Sequence, residues 1–138
     1  MQKHYYLLRL FLKDFFQIIL LLSSFSLSAQ TQIGADIDAE AADDRSGIIS
    51  LSSDGTRVAV GAYKNDGANG ADSGHVRIYE YSGGSWSQLG ADIDGEAAND
   101  FSGWSVSLSS DGSRVAIGAY TNDGANGADS GHVRIYEY

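Results

Sequence analysis

The chain contains no cysteine, which excludes both a disulfide framework and a thiolate metal centre. An exported protein of that kind is held together by its apolar core or by bound ions. Basic residues are scarce: nine Lys and Arg stand against eighteen Asp and Glu. Residues 1–29 hold three of the former and one of the latter, which leaves six against seventeen, a net charge of −11, in the remainder. Such an acidic excess argues against nucleic acid or anionic lipid as a partner, because both are held by clustered Lys and Arg. No Asn-x-Ser/Thr sequon occurs, so nothing points to N-glycosylation. After residue 30 no window has helical periodicity, which leaves strands and turns.

What is present begins with a segment unlike the rest. Lys3, Arg9 and Lys13 precede the apolar run Phe15 to Leu22, and small residues follow up to Leu27-Ser-Ala29. This is the pattern of a secretory signal peptide over 1–29, cut after Ala29. The apolar run is shorter than the roughly 20 residues that span a bilayer. No membrane insertion is therefore expected after cleavage, the alternative being an uncleaved anchor. About 109 residues remain, enough for one small domain.

Those residues are one unit written twice. Ser50-Leu-Ser-Ser-Asp-Gly-Thr-Arg-Val-Ala-Val-Gly-Ala-Tyr63 returns as Ser107 to Tyr120, Asn65 to Tyr81 returns as Asn122 to Tyr138, and Gly34-Ala-Asp-Ile-Asp returns from Gly90. The first copy is one residue shorter between Gly47 and Leu51, so Ile48 falls out of phase with the face shared by Ile49 and Leu51. A β-bulge there would absorb the slip. Asp54-Gly55 and Asp111-Gly112 each suggest a tight two-residue hairpin turn. In the second copy the strands are expected over 104–109, 114–120 and 132–138. In the first, a fourth strand, Trp86 to Leu89, follows the turn at Ser82-Gly-Gly-Ser85. Val58-Ala-Val60 and Val115-Ala-Ile117 are apolar on both faces, as in a sheet covered on both sides.

Four short antiparallel strands in a tandem unit of about 57 residues describe a β-propeller blade. The expected fold is all-β, with two such blades making an incomplete propeller: 30–89, and 90–138 without a fourth strand of its own. A duplicated two-sheet sandwich is the alternative. The motifs Phe101-Ser-Gly103, Val115-Ala-Ile-Gly-Ala-Tyr120 and Gly131-His-Val-Arg-Ile-Tyr136 resemble the FG-GAP repeat, the blade unit of integrin α-subunit propellers, and above all its bacterial exported branch. The resemblance spans Gly34 to Tyr138 and implies a propeller, seven-bladed in the best-known members, that acts in adhesion or ligand recognition. Two departures stand out. Tyr63 and Tyr120 occupy the place of the usual Pro, and Arg45 that of the Phe.

The resemblance also implies a Ca²⁺ loop of D-x-D-x-D-G form before the second strand, since Ca²⁺ takes six to eight oxygens. Here that loop reads Ser107, Ser109, Asp111, Gly112, with one carboxylate per copy, and is expected to be a plain hairpin. Two other segments are richer in oxygen. Asp36, Asp38 and Glu40, and their copies Asp92, Asp94 and Glu96, alternate along the chain and are candidates for a weak Ca²⁺ site between blades, against a solvated acidic loop. Asp66 and Asp72, with Asn69, and Asp123 and Asp129, with Asn126, offer a further candidate set, against a flexible turn.

Catalysis finds little support. His75 and His132 occupy equivalent positions, which suggests a structural role, and no Ser elbow, Cys nucleophile or HExxH motif is present. The tyrosines at strand ends and the nearby Trp86 and Trp104 either fill space between blades or grip a sugar or protein. The function expected is a secreted or cell-surface, non-enzymatic binding or adhesion module with a protein or glycan ligand. The alternative is a structural spacer or a fragment of a longer multi-repeat protein. Two blades leave open faces and strand edges, so a homo-oligomer completing a propeller is also expected.

Overall fold

The computed structural model describes residues 29–138. The signal-peptide expectation falls on residues outside that range. Eight strands follow in order: β1 (Ser46–Leu51), β2 (Arg57–Ala62), β3 (His75–Ser82), β4 (Ser85–Gln88), β5 (Ile93–Asp94), β6 (Ser105–Leu108), β7 (Arg114–Ala119) and β8 (His132–Glu137). No helix occurs among the described residues. β1 to β4 form an antiparallel meander, to which β5 adds by pairing with the start of β3, and β6-β7-β8 form a second antiparallel sheet. The fold is thus all-β with two propeller-like blades, and the sheets do not close on themselves.

Local chemistry explains the meander. The slip at Ile48 is met by a bulge, with Ser46 opposite Ala62 and Ile48 opposite Gly61. Gly83 and Gly84 turn β3 into β4 with φ of 61° and 90°, and Ser82 pairs with Ser85 across them. That is the two-residue turn whose twist matches the strands. The Asp-Gly turns are larger than expected. Ser52 N–H donates to the Arg57 carbonyl at 2.9 Å, so four residues lie inside the loop and Gly55 takes its left-handed position (φ 72°).

The reason for the larger loop is the aspartate itself. In the second copy the Asp111 carboxylate accepts from Ser109 Oγ at 2.6 Å, from Ser113 N–H at 3.1 Å and from Ser113 Oγ at 2.9 Å. These bonds favour the ionised form. They pull the Asp111 pKa down to about 2, the Ser109 hydroxyl contributing most. Asp54 is lowered in the same way, chiefly by Thr56 N–H. A pKa below the unfolded value means that the loop is stabilised above the ordinary carboxylate range, and that this support fades as pH falls through about 2. Carboxyl-carbon NMR should find Asp111 titrating near 2, and Ser109→Ala should move it upward.

The two sheets stack face to face. Side chains directly opposite one another in a ladder share a face, so Ala59, Val76 and Ile78 project together from the first sheet. They meet Leu108, Val115 and Ile117 of the second in one buried cluster, with Leu89, Ile93, Val106 and Tyr136 packed around it. Hydrogen bonds cross the junction from Leu108 N–H to Ser50 Oγ (2.8 Å) and from Ser53 N–H to the Ser110 carbonyl (2.9 Å). The expectation of strands covered on both faces holds for β2, but β7 is fully covered only on the side facing the first sheet.

Candidate functional site

The acidic segments lead into turns that aim one glutamate at the start of each third strand. After Glu40 the chain turns at Ala41–Asp44, and the buried Asp44 accepts from Ala41 N–H at 2.8 Å and from Asn65 Nδ2 at 3.4 Å. That turn sets Glu40 beside His75 and Arg77. The two lie two residues apart on β3 and therefore on one face. Glu40 Oε2 is 3.8 Å from His75 Nδ1 and 3.3 Å from Asn65 Nδ2, and Oε1 is 3.7 Å from Arg77. Arg77 also donates to the Asp38 carbonyl at 2.7 Å.

From the other side comes Asp92, immediately before β5. Its Oδ2 lies 3.7 Å from His75 Nδ1, while Oδ1 accepts from Gln88 Nε2 at 2.6 Å. His75 is 1 % exposed, and neither of its ring nitrogens has a hydrogen-bond partner. Glu40, His75 and Asp92 bring one donor atom each to within 4.8 Å of the others. The second copy reproduces half of this. Glu96 Oε2 is 3.6 Å from His132 Nδ1 and Oε1 is 3.7 Å from Arg134, and Arg134 donates to the Asp94 carbonyl.

The alternating carboxylates therefore do not converge on one point. Asp92 faces the His of the preceding repeat, and Asp94 lends its backbone oxygen to Arg134. Glu96 faces the His of its own repeat. Asp36 lines a separate shallow cleft with Tyr79 and Trp86. The second candidate set is tied up in its own loop. Asp66 accepts from Asp72 N–H at 2.9 Å, Asp123 accepts from Asp129 N–H at 2.9 Å, and the Asp72 carboxylate lies 3.5 Å from Lys64 Nζ. Asp66 and Asp72 line an acidic cleft of about 300 Å³ with Asp43 and Asp44, and Asp123 and Asp129 line its copy of about 390 Å³.

Sequence reasoning missed His75 as a member of the site because repetition suggested a structural residue. The available signal was a repeated order, Glu40 before His75 and Glu96 before His132, with an Arg two residues beyond each His. Four aromatic residues gather at the junction. Tyr63 meets the Trp104 ring edge-on at 4.7 Å, Phe101 stacks on Tyr120 at 5.6 Å, and Trp104 lies 5.0 Å from Tyr120. Tyr63 follows β2 and the other three belong to the second repeat, so the rings bridge the blades. Trp104 and Tyr120 remain half-exposed.

Two face-packed antiparallel sheets built from a tandem repeat define a propeller-type repeat module. Residues 91–136, about a third of the chain, match the family model of the FG-GAP repeat. The match falls on the second blade and agrees with the resemblance seen in its motifs. No curated protein matches the chain.

Proposed function

We propose that the chain is an exported, non-enzymatic binding module whose blades stack on further blades, a second copy of the chain being the neighbour that its open faces fit. One observation carries this: the residues that seal the internal junction recur, uncovered, on the outer faces. Val76 and Ile78 are buried, whereas their copies Val133 and Ile135 are 66 % and 70 % exposed. On the opposite side Leu108 is 9 % exposed, and its copy Leu51 is 56 % exposed. A second chain placed head to tail would repeat the existing interface, and each of these side chains so covered would contribute about 1.5–3 kcal/mol. Such a contact is heterologous, and it ends only when the ring closes.

Export is supported by the N-terminal pattern of residues 1–29 and by the extracellular setting in which FG-GAP repeats typically occur. A ligand role is supported by the half-exposed Trp104 and Tyr120, whose flat faces suit a sugar ring or an apolar side chain. Light scattering on the purified chain tests the assembly. A particle of about two to four chains is expected, matching propellers of ~4–8 blades, and Ile135→Asp should return it to a folded monomer. A wild-type chain that is folded yet monomeric would overturn the self-assembly. Binding to an immobilised glycan panel, compared between wild type and Trp104→Ala, separates a ligand module from a spacer, since a spacer gives no difference.

A further inference from the structure

We propose that Glu40, His75 and Asp92 form a divalent-cation site that selects a nitrogen-accepting ion of the Zn²⁺ class over Ca²⁺. The argument starts from the imidazole. His75 is almost wholly buried, and both ring nitrogens lack a hydrogen-bond partner. A buried polar group left unpaired costs about 1–3 kcal/mol. Its Nδ1 faces two carboxylate oxygens, at 3.7 and 3.8 Å. Both distances exceed hydrogen-bond reach, so a proton on Nδ1 satisfies neither contact, and a bare lone pair there faces two negative charges.

A cation between the three atoms satisfies all of them together. Zn²⁺ holds His nitrogen at about 2.0–2.1 Å and carboxylate oxygen at about 2.0–2.2 Å, so neighbouring donors in a tetrahedral site sit roughly 3.3–3.5 Å apart. The two separations from His75 Nδ1 are a few tenths of an ångström wider, and the Glu40 and Asp92 oxygens lie within 4.8 Å of each other. Closing them requires rotation of Glu40 and Asp92, both partly exposed side chains. The fourth position is left for water. Ca²⁺ fits poorly, because it takes six to eight oxygens and has no use for a buried imidazole.

The surrounding contacts hold the donors in place. Gln88 Nε2 fixes the other oxygen of Asp92, and Asn65 Nδ2 and Arg77 steady the two oxygens of Glu40. Such outer partners orient ligands in known metal centres. The ligands come from both repeats: Glu40 and His75 from the first, Asp92 from the opening motif of the second. An ion bound here links the two.

Calorimetric titration of the purified chain with Zn²⁺ alone, and separately with Ca²⁺ alone, tests the assignment, with circular dichroism confirming the fold. Zn²⁺ is expected to bind, and Ca²⁺ at the same concentration is not expected to displace it. Glu40→Gln and Asp92→Asn keep the shape of partly exposed side chains and should each weaken Zn²⁺ binding by at least about tenfold. His132→Gln should leave the Glu40–His75–Asp92 affinity unchanged. Co²⁺ in place of Zn²⁺ should show the visible absorption of a tetrahedral nitrogen–oxygen site, lost in His75→Gln. Absence of Zn²⁺ binding by the folded chain, binding indifferent to Glu40→Gln and Asp92→Asn, or Ca²⁺ displacing Zn²⁺ at equal concentration would each overturn the proposal.

Discussion

Ile78→Ala is expected to lower the unfolding free energy by about 3–4 kcal/mol, read as a shift of the urea midpoint with little change in slope. Ile78 is among the largest side chains fully buried at the junction. It stands on β3 opposite Ala59 and within the cluster formed by Leu108, Val115 and Ile117. The chain around it cannot collapse easily, because the two sheets are tied together at both ends by backbone-directed hydrogen bonds such as Leu108 to Ser50. The truncation therefore leaves a cavity as well as losing transfer energy. The same change at Ile135, its exposed copy, should cost a folded monomer under about 1 kcal/mol. Equal losses at the two positions would show that Ile135 is already covered, as the stacked assembly requires.

Gly103→Ala should cost about 4 kcal/mol, and a chain lacking cooperative unfolding is the extreme outcome. Gly103 has a φ of 87°, a region that L side chains rarely adopt. An added Cβ would also lie 2.6 Å from the His75 carbonyl oxygen and 3.2 Å from Gly61 Cα. Strained backbone of this kind costs about 1–3 kcal/mol, and overpacking costs a similar amount. Both neighbours belong to the other blade, and both are backbone, so neither can swing aside. The Gly of the Phe-Ser-Gly motif and the Gly of the Gly-Ala motif thus meet across the junction. Fluorescence of Trp104 during urea unfolding would read the loss, and a stability within 1 kcal/mol of wild type would contradict this packing.

Much of the fold is legible in the sequence because the chain states it twice. Strands β7 and β8 lie within a residue or so of their expected spans, and the one-residue slip at Ile48 correctly signals a bulge. The Asp-Gly turns were harder to read. The dipeptide alone favours two residues, but a hydroxyl on each side of the aspartate, Ser52 and Thr56 or Ser109 and Ser113, builds a wider loop around the carboxylate. The site was less legible than the fold. Alternation along Asp92, Asp94 and Glu96 suggests convergence, yet the chain pairs with β3 at Ile93–Asp94 and then turns away. The Asp92 and Glu96 carboxyls are sent to different histidines, and Asp94 is engaged through its backbone oxygen. That pairing depends on tertiary contact between repeats, which periodicity within a window does not encode. The enclosure of His75, on the face of β3 opposite Val76 and Ile78, likewise depends on segments distant in sequence, Glu40 before β1 and Asp92 before β5.

The segment from Asp92 to Glu96 faces two ways, its first residue toward His75 and its last toward His132. Each Glu–His–Asp triad is thus completed only by the repeat that follows. A row of n repeats holds n − 1 complete triads, whereas a ring holds n, because the last histidine is then met by the first aspartate, Asp36 in this chain. Counting triads is therefore a measure of topology: one per chain marks a single open pair of blades, and two per chain marks a circle without ends.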